Sequence, residues 1–208
     1  FEGNAQGLRM AHRLLKLNLT YAQVGSILKY TRGAYDLEPI PPEFDYLMKK
    51  PGYYWSEVDF VSELTKKLDM EKYCRFPLSY IMEAADDISY CIADLDDAAE
   101  KGIFTVEQLI EYLKAEWGDI EQNDLFDQTI MRAFNNISDN HTRRIQQDQF
   151  FMYLRVNITG KLSHYSAPHF INTLPEIYNG TFNRALLEDK SPEHRLLKVL
   201  KTVAFKHV

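Results

Sequence analysis

Two carboxylates and a phenol recur at four-residue intervals near the middle of the chain. Asp86, Tyr90 and Asp94 stand at positions i, i+4 and i+8, and an α-helix stacks such residues one turn apart on one face. Glu83 and Asp97 lie beside them, and no Lys or Arg interleaves to offset their repulsion. Carboxylate oxygens suit a hard cation or a sugar hydroxyl. The alternative interpretation is a solvated acidic surface without a ligand.

The helix that carries these residues is predicted from about Leu78 to Glu100. Its apolar positions share one face, so they should be buried and leave the three polar side chains on the opposite face. These apolar positions are Ile81, Ala85, Ile88, Ile92, Leu95 and Ala99.

Helix starts are marked elsewhere by short capping motifs. Thr20 with Gln23 and Thr105 with Gln108 have the spacing of capping boxes. Ser191, which precedes a proline, is typical of the residue just before a helix. These motifs predict a second helix that ends near residue 30, a helix from 105 to about 117, and a last helix after 191.

Proline and polar residues mark the predicted interruptions between helices. Pro39, Pro41 and Pro42 break the helical pattern, so residues 33–54 are expected to be mainly loop, after which Ser56 caps the next helix. We interpret 138–147 as a surface loop, and Pro168 and Pro175 as helix breaks or starts. No alternating strand pattern of useful length occurs. The predicted fold class is therefore all-α.

Composition excludes several classes of protein. The chain has 208 residues with 24 Lys and Arg against 30 Asp and Glu, so a generally basic, duplex-coating protein is excluded. Two cysteines are too few for a disulfide framework or a four-thiolate zinc site, which fits a reducing cytosol. No apolar run reaches the roughly 20 residues that a membrane span needs. We expect a cytoplasmic protein without a membrane partner.

The two ends of the sequence indicate a fragment. The chain opens at Phe1 without a methionine, and it has no signal-peptide pattern. It closes within an amphipathic helical pattern, 196–205, that lacks a Gly or Pro stop signal. We interpret the chain as an internal piece of a longer protein.

Six stretches of the sequence are more specific to one protein family than the composition is. They are 1–7, 27–31, 46–54, 83–90, 148–157 and 180–189. Together they resemble the dGTP triphosphohydrolase (dGTPase) family of enteric bacteria, within the HD-domain phosphohydrolase superfamily. The resemblance spans essentially all of 1–208. It implies the central and C-terminal part of an all-α, multi-helix HD-domain-like bundle, incomplete at both ends.

The resemblance implies a metal-dependent hydrolysis of dGTP to deoxyguanosine and tripolyphosphate by the parent protein. In this family Mg²⁺ or Mn²⁺ is held by a His, a His-Asp pair and a distant Asp, and the last of these matches Asp86. The other ligands, and the catalytic His and Glu, belong before Phe1. We therefore expect no catalytic residue in this chain, and no activity from the chain alone.

The resemblance also assigns the substrate contacts. Four side chains would bind the triphosphate: Asn4, Lys29, Tyr30 and Lys50. Tyr90 would pack against the deoxyribose, leaving no room for a ribose 2′-hydroxyl, and Asp94 would accept a hydrogen bond from the 3′-hydroxyl. Sequence chemistry alone does not separate Lys49 from Lys50, and each lysine is otherwise typical of an ordinary surface residue.

Two other interpretations compete with a hydrolase. The first is an all-α nucleotide- or single-stranded-DNA-binding regulatory module that does not turn its ligand over. The second is that this chain alone is a structural remnant of the enzyme. The resemblance further implies a homohexamer and a single-stranded DNA effector.

Overall fold

The computed structural model describes residues 2–138 and 142–208, and helices dominate that part of the chain. This confirms the all-α class. The α-helices are α1 (Gly3–Arg9), α2 (Tyr21–Ile27), α3 (Val58–Lys67), α4 (Leu78–Glu100), α5 (Val106–Trp117), α6 (Arg132–Asn135), α7 (Arg143–Tyr178) and α8 (Pro192–His207). In the same residues, no helix has both the length and the hydrophobicity that a bilayer span requires.

Short elements of other types complete the secondary structure. π-Helical turns at Met10–Leu14 and Asp127–Met131 precede or follow α-helices, and 3-10 turns occupy Pro42–Phe44 and Trp55–Glu57. Strands β1 (Arg32–Gly33) and β2 (Pro51–Tyr53) pair in parallel. These strands were not predicted, because two or three residues are too few for an alternating pattern to be recognised.

The chain divides into two compact units, with boundaries inside α4 and α7. Unit 1 comprises Phe1–Ala84 and Pro168–Leu186, and unit 2 comprises Ala85–Ala167 and Leu187–Val208. The α1–α3 region of unit 1 is built around a cluster of buried aliphatic residues. They are Leu8, Val24, Leu28, Val61 and Leu64.

Unit 2 has a larger apolar core drawn from α4, α5, α7, α8 and the segment 126–130. Its buried side chains include Ile92, Leu95, Leu109, Leu113, Phe126, Ile130, Phe150, Leu154, Ile158, Leu196, Leu200 and Val203. The Arg195 guanidinium lies 4.2 Å above the Trp117 ring and donates to the Trp117 carbonyl. This contact fixes the end of α5 against α8.

The predicted capping motifs are confirmed with one exception. Thr20 and Thr105 both form complete capping boxes, and Ser191 accepts a hydrogen bond from the His194 amide. The prediction for Ser56 is wrong. That residue lies inside the Trp55–Glu57 turn, Glu57 stands at the N-cap of α3, and the Ser56 hydroxyl donates to the Glu57 carboxylate.

Helix α7 is longer than predicted. The expected loop at 138–147 ends before Arg143, where α7 begins, and its residues 139–141 lie outside the described residues. Pro168 and Pro175 are also inside α7 and do not break it. Each proline removes one backbone hydrogen bond, but both are exposed, while neighbouring Phe170 and Ile177 are buried. We infer that this packing keeps the backbone helical.

Gly52 allows an unusually close approach between two segments of unit 1. A Cβ atom placed on Gly52 would lie 1.6 Å from the Tyr30 carbonyl oxygen, far inside any van der Waals contact. The β1–β2 pairing and the backbone of Tyr30 therefore require glycine at this position.

We predict that Gly52→Ala lowers the free energy of unfolding by at least about 2 kcal/mol, because the backbone of Tyr30 must move to make room. Gly160→Ala is the matched control, since a Cβ there meets nothing within 4 Å. It should be neutral or stabilising, by up to about 1 kcal/mol, because alanine favours a helix interior. Urea denaturation followed by circular dichroism measures both. Equal stability of the two variants would contradict the close approach.

Candidate functional site

Helix α4 presents the predicted polar face to solvent in unit 2. Asp86, Tyr90 and Asp94 are all exposed, with 63% of Tyr90 accessible. The four-residue spacing places them along one side of the helix. Their exposure confirms the face that the sequence predicted.

The buried face of α4 differs in part from the prediction. Ile88, Ile92, Leu95 and Ala99 are buried as expected, together with Ala84, Cys91 and Ala98. Ile81 and Ala85 are exposed instead. In the first turns the buried side chains are Ser79, Tyr80 and Glu83, so one apolar stripe does not run the full length of the helix.

Tyr90 and Asp94 line a cavity of about 420 Å³ in unit 2. Lys201 and Phe205 of α8 lie across it, and Lys201 pairs with Asp87 at 2.7 Å. Asp86 is not among the residues that line this cavity. The repulsion expected on α4 is thus reduced by cations from other helices, since Arg155 likewise pairs with Asp96 at 3.1 Å.

Glu83 has a different environment from the one predicted. It was expected beside the exposed carboxylates, but only 2% of it is accessible and it lies within unit 1. Its Oε2 accepts from Arg75 Nη1 at 2.6 Å, and its Oε1 accepts from the Tyr46 hydroxyl at 2.6 Å. Lys29 Nζ lies 3.1 Å from the same Oε1. We call Lys29, Tyr46, Arg75 and Glu83 the Glu83 network.

These partners keep the buried carboxylate ionised. Burial by itself raises the pKa of Glu83, but the Arg75 guanidinium, the Tyr46 hydrogen bond and the Lys29 ammonium outweigh it and hold the pKa below its usual value. Burial and the same carboxylate raise the pKa of the Tyr46 phenol. Tyr46 therefore remains a hydrogen-bond donor at neutral pH.

Lys29 and Tyr30, two of the predicted phosphate ligands, lie at this network. Tyr30 is buried, and burial raises the pKa of its phenol. Its ring lies 5.8 Å from Lys29 Nζ and 5.6 Å from Lys49 Nζ. Lys49 Nζ also lies 3.9 Å from the centre of the Tyr46 ring. Two cations, Lys29 and Arg75, thus pair with the Glu83 carboxylate, and Lys49 lies over the neighbouring aromatic rings.

Asn4 and Lys50, the other predicted phosphate ligands, are grouped around Glu2. The Asn4 side-chain amide donates to Glu2 Oε1 at 2.6 Å, and Glu2 is the N-cap of α1. The Asn4 side-chain hydrogen bond outweighs burial and, with lesser effects of the Asn4 backbone amide and the Lys50 charge, holds the pKa of Glu2 below its usual value. Asn4 itself therefore does not cap the helix. Adjacent residues Lys49 and Lys50 serve different groups.

Among the described residues, Asp86 is the one carboxylate predicted to bind the metal ion. Asp86 is exposed on α4, and residues 2–138 and 142–208 contain no group of three His, Cys, Asp or Glu side chains arranged to hold a metal ion. One carboxylate leaves most positions of an octahedral Mg²⁺ or Mn²⁺ without a protein ligand. These residues alone do not fit a complete metal site, and we derive no step through a metal.

Sequence reasoning missed Arg75 and Tyr46. Arg75 is 2% exposed and falls between Cys74 and Phe76-Pro77, immediately before α4. A lone arginine in an apolar run is a usable signal, since a buried guanidinium requires a carboxylate partner. Tyr46 gives no such signal. Asn183 fixes its position by accepting from the backbone amides of Tyr46 and Leu47 at 3.1 and 3.2 Å.

The chain is an all-α protein with two kinds of polar site. The α4 face carries an aromatic ring beside carboxylates, which suit a sugar. The residues around Glu83 and Glu2 include lysines, which suit a phosphate. The chain is 59% identical, over all 208 residues, to the deoxyguanosinetriphosphate triphosphohydrolase of Serratia proteamaculans (strain 568). Proteins of the same name from Yersinia pestis (strain Pestoides F) and Yersinia enterocolitica are 58% and 57% identical over the same length. These matches confirm the resemblance that the motifs indicated.

The match covers the whole chain but only part of each relative. The 208 residues span 41% of the length of these curated relatives. No family model matches the chain.

We predict that substitutions of two α4 carboxylates have very different effects on the free energy of unfolding at pH 7. Glu83→Gln should lower the free energy of unfolding by about 3 kcal/mol, because Arg75 is left buried without a counter-charge. Asp86→Asn should change it by less than about 0.5 kcal/mol, because that carboxylate is exposed. Urea denaturation of both variants measures the difference.

The pH dependence of the free energy of unfolding should also differ between the Glu83 and Asp86 variants. A lowered folded-state pKa stabilises the fold at pH values above the ordinary glutamate pKa, and that contribution is lost as the pH falls through the folded-state value. Wild type and Asp86→Asn should therefore lose more stability on acidification than Glu83→Gln does. Parallel pH profiles for all three would contradict an ionised Glu83.

Proposed function

We propose that the protein containing this chain hydrolyses dGTP to deoxyguanosine and tripolyphosphate. The identity of 57–59% over all 208 residues to proteins named for that activity carries the proposal. These products require cleavage between the α-phosphorus and the 5′-oxygen of the nucleoside. Because the chain spans 41% of its relatives, it contributes part of the machinery, which we take to belong to an HD domain.

In this proposal Tyr90 and Asp94 supply the contacts to the sugar. The exposed Tyr90 ring and the Asp94 carboxylate line one cavity, which supports a deoxyribose lying against the ring with its 3′-hydroxyl donating to Asp94. A carboxylate accepts such a bond strongly. The Tyr90 ring, in turn, offers a flat surface that excludes a 2′-hydroxyl.

Four other side chains supply contacts to the triphosphate. Lys29 and Tyr30 at the Glu83 network, and Asn4 and Lys50 near Glu2, are the proposed ligands. Lys49 lies over the Tyr46 ring and, like Lys29, near the Tyr30 ring, which supports a contribution from Lys49 as well. Ammonium groups act as point-charge donors to phosphate oxygens, so neither lysine of the pair is excluded by its chemistry.

Asp86 is the one proposed ligand of Mg²⁺ or Mn²⁺ in this chain. The metal, when bound, would stabilise negative charge on the reacting phosphate. No catalytic acid or base is assigned to the described residues. The homohexamer, the single-stranded DNA effector and the cytoplasmic location implied by the family resemblance stay predictions.

We predict that Asp86→Ala in the whole protein abolishes dGTP hydrolysis and metal binding without unfolding it. The residue is exposed, so its removal opens no core cavity. Turnover measured by deoxyguanosine release, with metal content by mass spectrometry, tests this. Asp87→Ala is the control. Asp87 is paired with Lys201, so the variant protein should still bind the metal ion. Active, metal-bound Asp86→Ala protein would contradict the assignment.

The 208-residue chain alone should not turn over dGTP with added Mn²⁺. If this chain did hydrolyse dGTP and Asp86→Ala abolished the activity, the other metal ligands implied by the family resemblance would not be required.

We predict that Tyr90→Ala lowers activity on dGTP and narrows discrimination against GTP, because space opens beside the 2′-carbon. Tyr90→Phe is the matched control, since it keeps the ring and should keep the discrimination. Asp94→Ala should cost about ten- to a hundredfold in kcat/KM, the loss expected for a hydrogen bond to a charged group. The measurement is the ratio of kcat/KM for dGTP to that for GTP. An unchanged ratio in Tyr90→Ala would rule this ring out as the sugar gate.

A further inference from the structure

We propose that Arg75, Glu83 and Tyr46 are positioning residues for Lys29, holding its ammonium where it meets the triphosphate. The inference rests on the proposed function, in which Lys29 binds that triphosphate. None of the three touches substrate in this proposal. They act through the Lys29 side chain.

Arg75 is the fixed point of the arrangement. Its guanidinium carbon lies 5.5 Å from the Tyr30 ring and 5.1 Å from the rings of Tyr46 and Tyr80. Nη1 donates to Glu83, while Nε and Nη2 are buried and have no hydrogen-bond partner among the described residues. Aromatic faces attract a guanidinium, so the three rings account for its retention there.

Glu83 transmits this fixed position to Lys29. Both carboxylate oxygens are engaged, Oε2 by Arg75 and Oε1 by the Tyr46 hydroxyl and Lys29. The side chains of Glu83 and Arg75 are 3% and 0% exposed, whereas that of Lys29 is 18% exposed. Lys29 is therefore the charged member of the network that remains accessible to an incoming anion.

The charges of the network suit this role. Arg75 and Lys29 share the single Glu83 carboxylate, so the network keeps a net positive charge while the Lys29 ammonium is held 3.1 Å from Glu83 Oε1. A lysine side chain otherwise loses considerable rotamer freedom when it binds phosphate. Holding it in advance removes that cost from the binding step.

Fold stability alone is a weak explanation for the network. A buried ion pair is often no more stabilising than well-packed apolar residues of the same volume. Tyr30, Tyr46 and Tyr80 already provide an aromatic environment in which an apolar side chain would pack at position 75. Retaining the charges is better explained by what they do to Lys29.

A double-mutant cycle in the whole protein tests the inference. Tyr46→Phe removes only the hydroxyl that donates to Glu83, so it is milder than a change at Glu83 or Arg75. We expect it to lower kcat/KM for dGTP about fivefold in the wild-type background and less than twofold in the Lys29→Ala background. Tyr21→Phe is the matched control, because the Tyr21 hydroxyl also donates to a glutamate, Glu63, at 2.5 Å, away from this network. It should leave kcat/KM unchanged.

The outcomes separate this inference from the proposed function. An equal loss from Tyr46→Phe in both backgrounds, or no loss in either, overturns the positioning role while dGTP hydrolysis stands. If the wild-type protein does not hydrolyse dGTP, the proposed function fails, and the cycle is then measured on the dissociation constant for inorganic tripolyphosphate. If Tyr46→Phe changes that dissociation constant by the same factor in the wild-type and Lys29→Ala backgrounds, the positioning role is overturned as well.

Discussion

The buried carboxylate of Glu83 constrains unit 1 more than any other group. Removing an ionised carboxylate from water costs several kcal/mol unless charged and hydrogen-bonding partners replace the water. The partners come from separate segments: Lys29 follows α2, Tyr46 follows the Pro42–Phe44 turn, and Arg75 precedes α4. These segments have little regular structure. The need to satisfy one charge therefore helps to set their positions, together with the Asn183 contacts to Tyr46 and Leu47 and the Gly52 approach to Tyr30.

Helix α4 gives carboxylates on one short stretch of sequence two different environments. Glu83 is enclosed by cations in unit 1, whereas Asp86 and Asp94 in unit 2 are exposed. An enclosed carboxylate has its oxygens already occupied and serves to orient other groups. An exposed carboxylate retains free lone pairs for a metal ion or a hydroxyl. The division of roles proposed here thus follows from burial rather than from residue type.

Local sequence signals predicted the helical elements well and the charged interior poorly. The capping boxes at Thr20 and Thr105, and the span of α4, were correct because they depend on neighbouring residues. The continuation of α7 through Pro168 was missed, since tertiary packing decides whether a helix tolerates a proline. Glu83 was placed on the wrong face for a similar reason: the partners that permit its burial are distant in sequence. The exposed residues of the candidate site were predictable, and their neighbours were not.

Lys49 and Lys50 show that even adjacent residues of the same type can differ in ways that the sequence does not predict. The two residues have the same chemistry and adjacent positions, yet Lys49 lies over the Tyr46 ring and Lys50 acts on Glu2. Family resemblance selects Lys50 as the phosphate ligand, whereas the geometry places Lys49 beside Lys29 and Tyr30. The proposed substrate, a triphosphate, carries several negative charges along its length and requires more than one cation to neutralise them. Two adjacent lysines serving different groups meet that requirement better than either lysine does alone.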